Sequence, residues 1–191
     1  MELVDLVAAC VEPQNGASIV DVGCGNGEFL RELAARLRPG VCVGVDVYLP
    51  DTELGGGILG LRADAGRLPL RDRCATVVTA RGLLHHVHEI EAVLVELARV
   101  VAPEGWLFVV EATRFDDETF AAMNRELEEA GHPPEPHPGI EPERLMGVLS
   151  GCGLSIARHM LSGEWTLATP PFVSRVYSVP KVLVAARRDQ P

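Results

Sequence analysis

Three alternating glycines constrain this chain more than anything else in it. Residues 19–28 read Ile19-Val20-Asp21-Val22-Gly23-Cys24-Gly25-Asn26-Gly27-Glu28. An apolar, strand-like run passes through Gly23, Gly25 and Gly27 straight into a helical pattern. So tight a turn needs residues that adopt conformations a Cβ disfavours, and it leaves bare backbone where a ligand approaches closely. Strand, glycine turn and helix in that order belong to an α/β architecture whose ligand sits beyond the carboxyl ends of the strands.

The rest of the pattern agrees. Residues 18–22 (SIVDV), 41–45 (VCVGV), 59–63, 74–80 (CATVVTA) and 106–112 (WLFVVEA) read as strands. Residues 27–37 and 89–101 carry apolar residues at helical spacing, closed by Pro39-Gly40 and by Pro103 with Gly105. Val-rich strands separated by helices imply a parallel sheet covered on both faces. Beyond residue 112 the texture changes. Residues 116–130 read as an exposed helix. The segment 132–143 (HPPEPHPGIEPE) holds five prolines and reads as irregular. Residues 142–150 read as a short helix with Pro142 at its start. Residues 154–161 and 179–186 read as two last strands, joined by a long connection over 162–178. No internal repeat or second-domain boundary is visible, so residues 1–191 are expected to form a single domain.

Composition narrows the function. The 191 residues carry 17 Lys+Arg against 27 Asp+Glu, a formal charge of −10. That balance speaks against a nucleic-acid partner, whose phosphates call for clustered Lys and Arg. The five cysteines (Cys10, Cys24, Cys42, Cys74, Cys152) are scattered and never spaced C-x-x-C, which argues against a zinc cluster and a disulfide framework. A cytoplasmic location is the expectation that follows. No apolar run is long enough to span a membrane. The start, MELVDLVAACVEP, has acids where a signal peptide has bases.

The glycine spacing also selects the ligand. Dinucleotide sites use G-x-G-x-x-G with a diphosphate at the helix N-terminus. Here the third glycine of that pattern is replaced by Glu28, which would repel a diphosphate but suits a cationic or zwitterionic ligand. Asp21 adds to the negative field. Asp46, ending the second strand about twenty residues on, can accept two ribose hydroxyls. Asp64-Ala65 follow the third strand, where a side chain reaches an adenine amino group. Arg81 ends the fourth.

With those residues in place, IVDVGCGNGEFL, GVDV, ADAGRLPL, ARGLLHHV and LARVVAPEGWLFVVEA resemble successive motifs of the class I S-adenosylmethionine-dependent methyltransferases, in the type 11-like branch that acts mostly on small molecules. The resemblance covers about residues 12–112. It implies a Rossmann-like, doubly wound, seven-stranded sheet, mostly parallel with an antiparallel last strand. It implies S-adenosyl-L-methionine as cofactor and Asp21, Gly23, Cys24, Gly25, Gly27, Asp46, Val47, Asp64, Ala65 and Arg81 as its contacts. Three departures stand out. The place of the helix between the second and third strands is held by YLPDTELGGGI, a poor helix that predicts a loop. Cys74-Ala75 replace a Phe-Asp pair before the fourth strand. Glu104-Gly105 replace a Gly-Gly turn before the fifth.

The resemblance further implies in-line methyl transfer to a small-molecule acceptor. His85 and His86, just past the fourth strand, fit either a general base or substrate contact, or plain loop positions. No metal is expected: His85-x-x-His88 lacks a visible third ligand, and His132 and His137 lie in a proline-rich loop. The acceptor side is expected from residues 1–11, 113–141 and 162–178, with Trp165, Phe172 and Tyr177 lending aromatic character. The chain is expected as a monomer or homodimer. Two other functions fit less well: a nicotinamide-dinucleotide oxidoreductase, and a non-catalytic partner protein that keeps the fold.

Overall fold

The computed structural model describes residues 3–11, 16–49, 54–167 and 177–190. Phe172 and the side chains of Trp165 and Tyr177 lie outside the described residues.

Among the described residues, five helices and seven strands follow one another in the order α1 (Leu3–Cys10), β1 (Ser18–Val22), α2 (Glu28–Leu37), β2 (Val41–Asp46), β3 (Leu59–Arg62), β4 (Ala75–Arg81), α3 (Ile90–Val100), β5 (Val101–Ala112), α4 (Asp117–Glu129), α5 (Pro142–Gly151), β6 (Leu154–Leu167) and β7 (Tyr177–Arg188). A 3-10 turn, Leu84–His86, follows β4. The strands form one sheet in the order β3-β2-β1-β4-β5-β7-β6. All neighbours are parallel except β7, which runs antiparallel to both β5 and β6. Strand order reverses between β1 and β4, and such a switch point opens a crevice at the carboxyl ends of the strands. The glycine turn leaves β1 there, and the two histidines follow β4.

The helices cover both faces because strand residues alternate in direction. Val20 and Val22 pack with Ile90, Val93, Leu94 and Leu97 of α3 and Leu145 and Leu149 of α5. Ile19 packs on the other side with Val4, Leu6 and Val7 of α1 and Phe29, Leu30, Leu33 and Leu37 of α2. The 29, 30, 33, 37 spacing puts those four α2 side chains on one face. Each contributes about 1.5–3 kcal/mol by leaving water.

Three expectations change. Residues 116–130 are not an exposed helix: Ala122, Met123 and Leu127 are buried with Ala112, Phe115 and Val179. The acidic residues of α4 mask this narrow apolar stripe. Asp116 caps the helix by accepting the Thr119 amide at 2.8 Å. The fifth strand begins at Val101, not 106, because pairing with β4 resumes after an irregularity that jumps from Ala75–Val101 to Val77–Trp106. Gly105 is required in that bulge, since a Cβ there would lie 2.9 Å from the Ala102 carbonyl oxygen. The last two strands are longer than 154–161 and 179–186, extending to 154–167 and 177–188. The loop expected between the second and third strands is seen over its described part, where Gly55, Gly56 and Gly57 all have positive φ. Among the described residues no helix is long and apolar enough to cross a membrane.

Candidate active site

The glycine turn is pinned to the end of β2. The Gly23 and Cys24 amides both donate to the Val45 carbonyl, at 2.8 and 3.1 Å. The Gly25 amide donates to Asp46 Oδ2 at 3.0 Å, and the Tyr48 amide donates to Asp46 Oδ1 at 3.0 Å. Gly23, Gly25 and Gly27 have φ of 75°, 53° and 75°, the left-handed region where a side chain is strained. A Cβ on Gly23 would press on Leu83, and one on Gly27 on Leu54, whereas one on Gly25 would meet nothing within 4 Å. Gly25 is thus the place where the turn exposes backbone to open space.

The surrounding charges are uneven. Asp21 is buried, accepts the Thr79 hydroxyl at 2.6 Å, and has its pKa raised by burial to about 6. Asp64 is exposed and closes a local turn by accepting the Gly66 amide at 2.7 Å, beside buried Ala65. Val47 and Tyr48 are exposed just beyond Asp46. The Arg81 guanidinium lies 4.0 Å above the Phe29 ring. Cys24 is buried, and its thiol is pushed up to about 12 by burial with the carboxylates of Asp21 and Asp46 nearby, so it is inert as a nucleophile.

Across the switch point, His85 Nδ1 lies 2.6 Å from Glu111 Oε1. Glu111 is fully buried on β5, and its carboxylate also accepts the Leu84 and Ala112 amides at 2.6 and 2.8 Å. His86 Nδ1 lies 2.9 Å from Glu135 Oε2, and that carboxylate raises the His86 pKa. The two imidazole rings are 3.9 Å apart between centroids. The histidine pair His85-x-x-His88 does not form a cluster; His88 instead accepts the His137 ring Nε2 through its backbone carbonyl at 2.9 Å.

The comparisons bear on this geometry. The model of a methyltransferase domain family matches residues 20–109, the span that carries the glycine turn, Asp46, Asp64 and both histidines. The chain is 36% identical over 114 residues to the demethylmenaquinone methyltransferase of Roseiflexus castenholzii, covering 56% of this chain and 48% of that protein. The chain resembles the class I S-adenosylmethionine-dependent methyltransferases over this span. A ubiquinone biosynthesis O-methyltransferase of Rhizobium etli is 29% identical over 180 residues, covering 82% of this chain and 69% of that protein. In fold, the S-adenosylmethionine-dependent methyltransferase of Methanosarcina mazei matches with a TM-score of 0.73 at 18% identity, over 100% of both chains. The chain spans about half the length of the demethylmenaquinone methyltransferases it matches.

The donor chemistry fits S-adenosylmethionine. Open space over Gly25 and a half-buried carboxylate with further lone pairs suit an amino acid and a ribose. The sequence missed Gly44 and Glu135. Gly44 lacks a Cβ where one would lie 2.6 Å from Leu54 and 2.8 Å from the Cys24 sulfur, so it lets the loop settle on β2. Its only sequence signal is a glycine inside a strand pattern. Nothing local marked Glu135, whose partner lies 49 residues away. Arg31 was also missed: it donates to the Asn26 and Leu54 carbonyls at 2.9 and 3.2 Å and ties the turn to the loop beyond β2.

Proposed function

We propose that this chain transfers the methyl group of S-adenosylmethionine to a small-molecule acceptor by in-line displacement. The Gly25–Asp46 unit carries the proposal. A carboxylate oxygen accepts more than one hydrogen bond. Asp46 therefore receives both ribose hydroxyls while holding the Gly25 and Tyr48 amides. Charge-assisted bonds of this kind contribute about 1.5–3 kcal/mol each.

The turn at Gly23, Cys24, Gly25 and Gly27 takes the amino-acid end. Asp64 and Ala65 meet the adenine edge, and the exposed apolar Val47 lies against its face. Asp21 supplies negative potential from beneath the turn, and Arg81 borders the site across the switch point. Glu28 in the first turn of α2, with Asp21 and Asp46, makes a field that suits a sulfonium over a diphosphate, which disfavours a nicotinamide dinucleotide. When bound, the cofactor supplies an electrophilic methyl with a good leaving group. The chain's task is then alignment and exclusion of water, and alignment is worth on the order of 7–11 kcal/mol.

His85 and His86 are the acceptor-side groups, where a hydroxyl is held and its proton drawn off. Glu111 fixes the ring of His85. The acceptor enters among residues 1–11, 113–141 and 162–178 of a single domain. Relatives named for demethylmenaquinone and for ubiquinone biosynthesis support a quinone-type ring as acceptor.

Calorimetric titration tests the reading. S-adenosylhomocysteine is expected to bind one per chain, and NAD and NADP are not. Binding of either dinucleotide without S-adenosylhomocysteine overturns it.

A further inference from the structure

We propose that His85, His86 and Glu135 form a site for a divalent transition metal, zinc or a close neighbour, beside the acceptor crevice. One ligand atom from each residue lies within 4.8 Å of the others. His86 Nδ1 and Glu135 Oε2 are 2.9 Å apart. Two donors, each about 2.1 Å from a zinc ion at right to tetrahedral angles, are about 3.0–3.4 Å apart. That pair already has nearly the spacing of two ligands on one ion, and His85 completes the set by closing in on them.

The support around the three residues is of the kind a metal needs. Metal-bound histidines donate their second ring N–H to a carboxylate, which fixes the tautomer and directs the other nitrogen to the ion. His85 has that partner in Glu111, at 2.6 Å and fully buried. Glu135 is held too: its amide donates to Asn124 Oδ1 at 2.9 Å, and its carbonyl accepts Asn124 Nδ2 at 3.1 Å. Its side chain is only 20% exposed. Two nitrogens and one carboxylate select zinc, cobalt, iron or manganese over magnesium or calcium.

Three protein ligands leave a coordination position open, as catalytic rather than structural zinc sites do. The turn that carries His85 and His86 follows β4, the neighbour of β1 in the sheet, which puts both histidines at the same strand ends as the glycine turn. The open position takes an oxygen, and an acceptor hydroxyl bound there is held and acidified. This last assignment rests on the methyl-transfer reading; capture of the metal does not.

The test uses the full chain, freed of metal with a chelator, dialysed, then titrated with zinc by calorimetry and with cobalt by visible absorption. One equivalent of zinc and a cobalt ligand-field band are expected. His86→Ala and Glu135→Gln are each expected to weaken zinc binding at least about 10-fold, and Glu111→Gln about 10–100-fold through the outer shell. Circular dichroism and thermal unfolding report whether each variant is folded. His86 and Glu135 lie near the surface, so their variants keep the test alive if Glu111→Gln fails to fold. Catechol added to the cobalt-loaded chain is expected to shift the band; an unchanged spectrum overturns the open position. No stoichiometric metal, or equal affinity in the wild type and the His86→Ala/Glu135→Gln double variant, overturns the site. Zinc binding without S-adenosylhomocysteine binding leaves this proposal standing and removes methyl transfer; the reverse result removes this proposal alone.

Discussion

Asp46 Oδ2 accepts the amide of Gly25 at 3.0 Å, so the carboxylate at the end of β2 and the turn after β1 are one unit. Asp46→Ala severs that tie along with the two proposed ribose bonds. The expected result is a loss of S-adenosylhomocysteine affinity of at least about 100-fold, or about 3 kcal/mol, with the fold retained. Calorimetry beside a thermal melt checks both halves. Near-wild-type affinity removes Asp46 from the site.

Gly25→Val places a branched side chain at φ 53° with nothing of the protein within 4 Å of its Cβ. Stability should fall only by about 1–2 kcal/mol, the cost of the left-handed conformation. Cofactor binding should vanish, because the side chain fills the hollow. Retained binding at similar affinity shows that the ligand lies elsewhere.

Gly44→Ala has the opposite signature. Its new methyl meets Leu54 and the Cys24 sulfur at 2.6 and 2.8 Å, inside the packing beneath the turn. A stability loss of about 1–3 kcal/mol is expected from overpacking. Denaturant unfolding measures it, and an unchanged midpoint means the loop relaxes freely around the methyl.

Asp21 predicts a pH dependence with a definite sign. Burial lifts its pKa from 3.8 to about 6 in the folded chain. Between those values the folded state binds the proton that the unfolded state has lost, so this residue's contribution to stability falls as pH rises from about 4 to about 6, and is flat above. The ionised carboxylate therefore costs on the order of 3 kcal/mol at neutral pH. Asn at this position keeps an oxygen for the Thr79 hydroxyl. Asp21→Asn should gain on the wild type as pH rises from 4.5 to 8, read by denaturant melts at several pH values. A constant difference across that range refutes the burial cost.

Glu111→Ala leaves two backbone amides and one face of His85 without their carboxylate in a fully buried place. Unpaired buried donors cost about 1–3 kcal/mol each. A fall in melting temperature of roughly 10 °C is expected for a chain of this size. A melt within two degrees of wild type would show that water replaces the carboxylate.

The proposed cofactor side of the site was legible because it is local. Gly23, Gly25, Gly27 and Asp46 announce themselves by spacing along strand, turn and strand, and β1, α2 and β2 fall within a residue or so of the expected bounds. The acceptor side was not legible in the same way. His85 and His86 stood out as residues, but their partners Glu111 and Glu135 come from β5 and the proline-rich segment, and only the sheet order pairs them. The α4 stripe of Ala122, Met123 and Leu127 was hidden by low overall hydropathy, and the bulge before Trp106 by the absence of any periodic signal across it.

The placement of β7 between β5 and β6 has a consequence for how the chain comes into being. Strand β6 pairs with β7 alone, and β7 is the later of the two to be synthesised. A nascent chain halted before Tyr177 would leave one flank of β5 and the whole of β6 without a neighbour, although the glycine turn and its carboxylate are already made. The ligand-gripping half can thus assemble while the ribosome is still at work, and closure of the sheet must wait for the strand slotted in last.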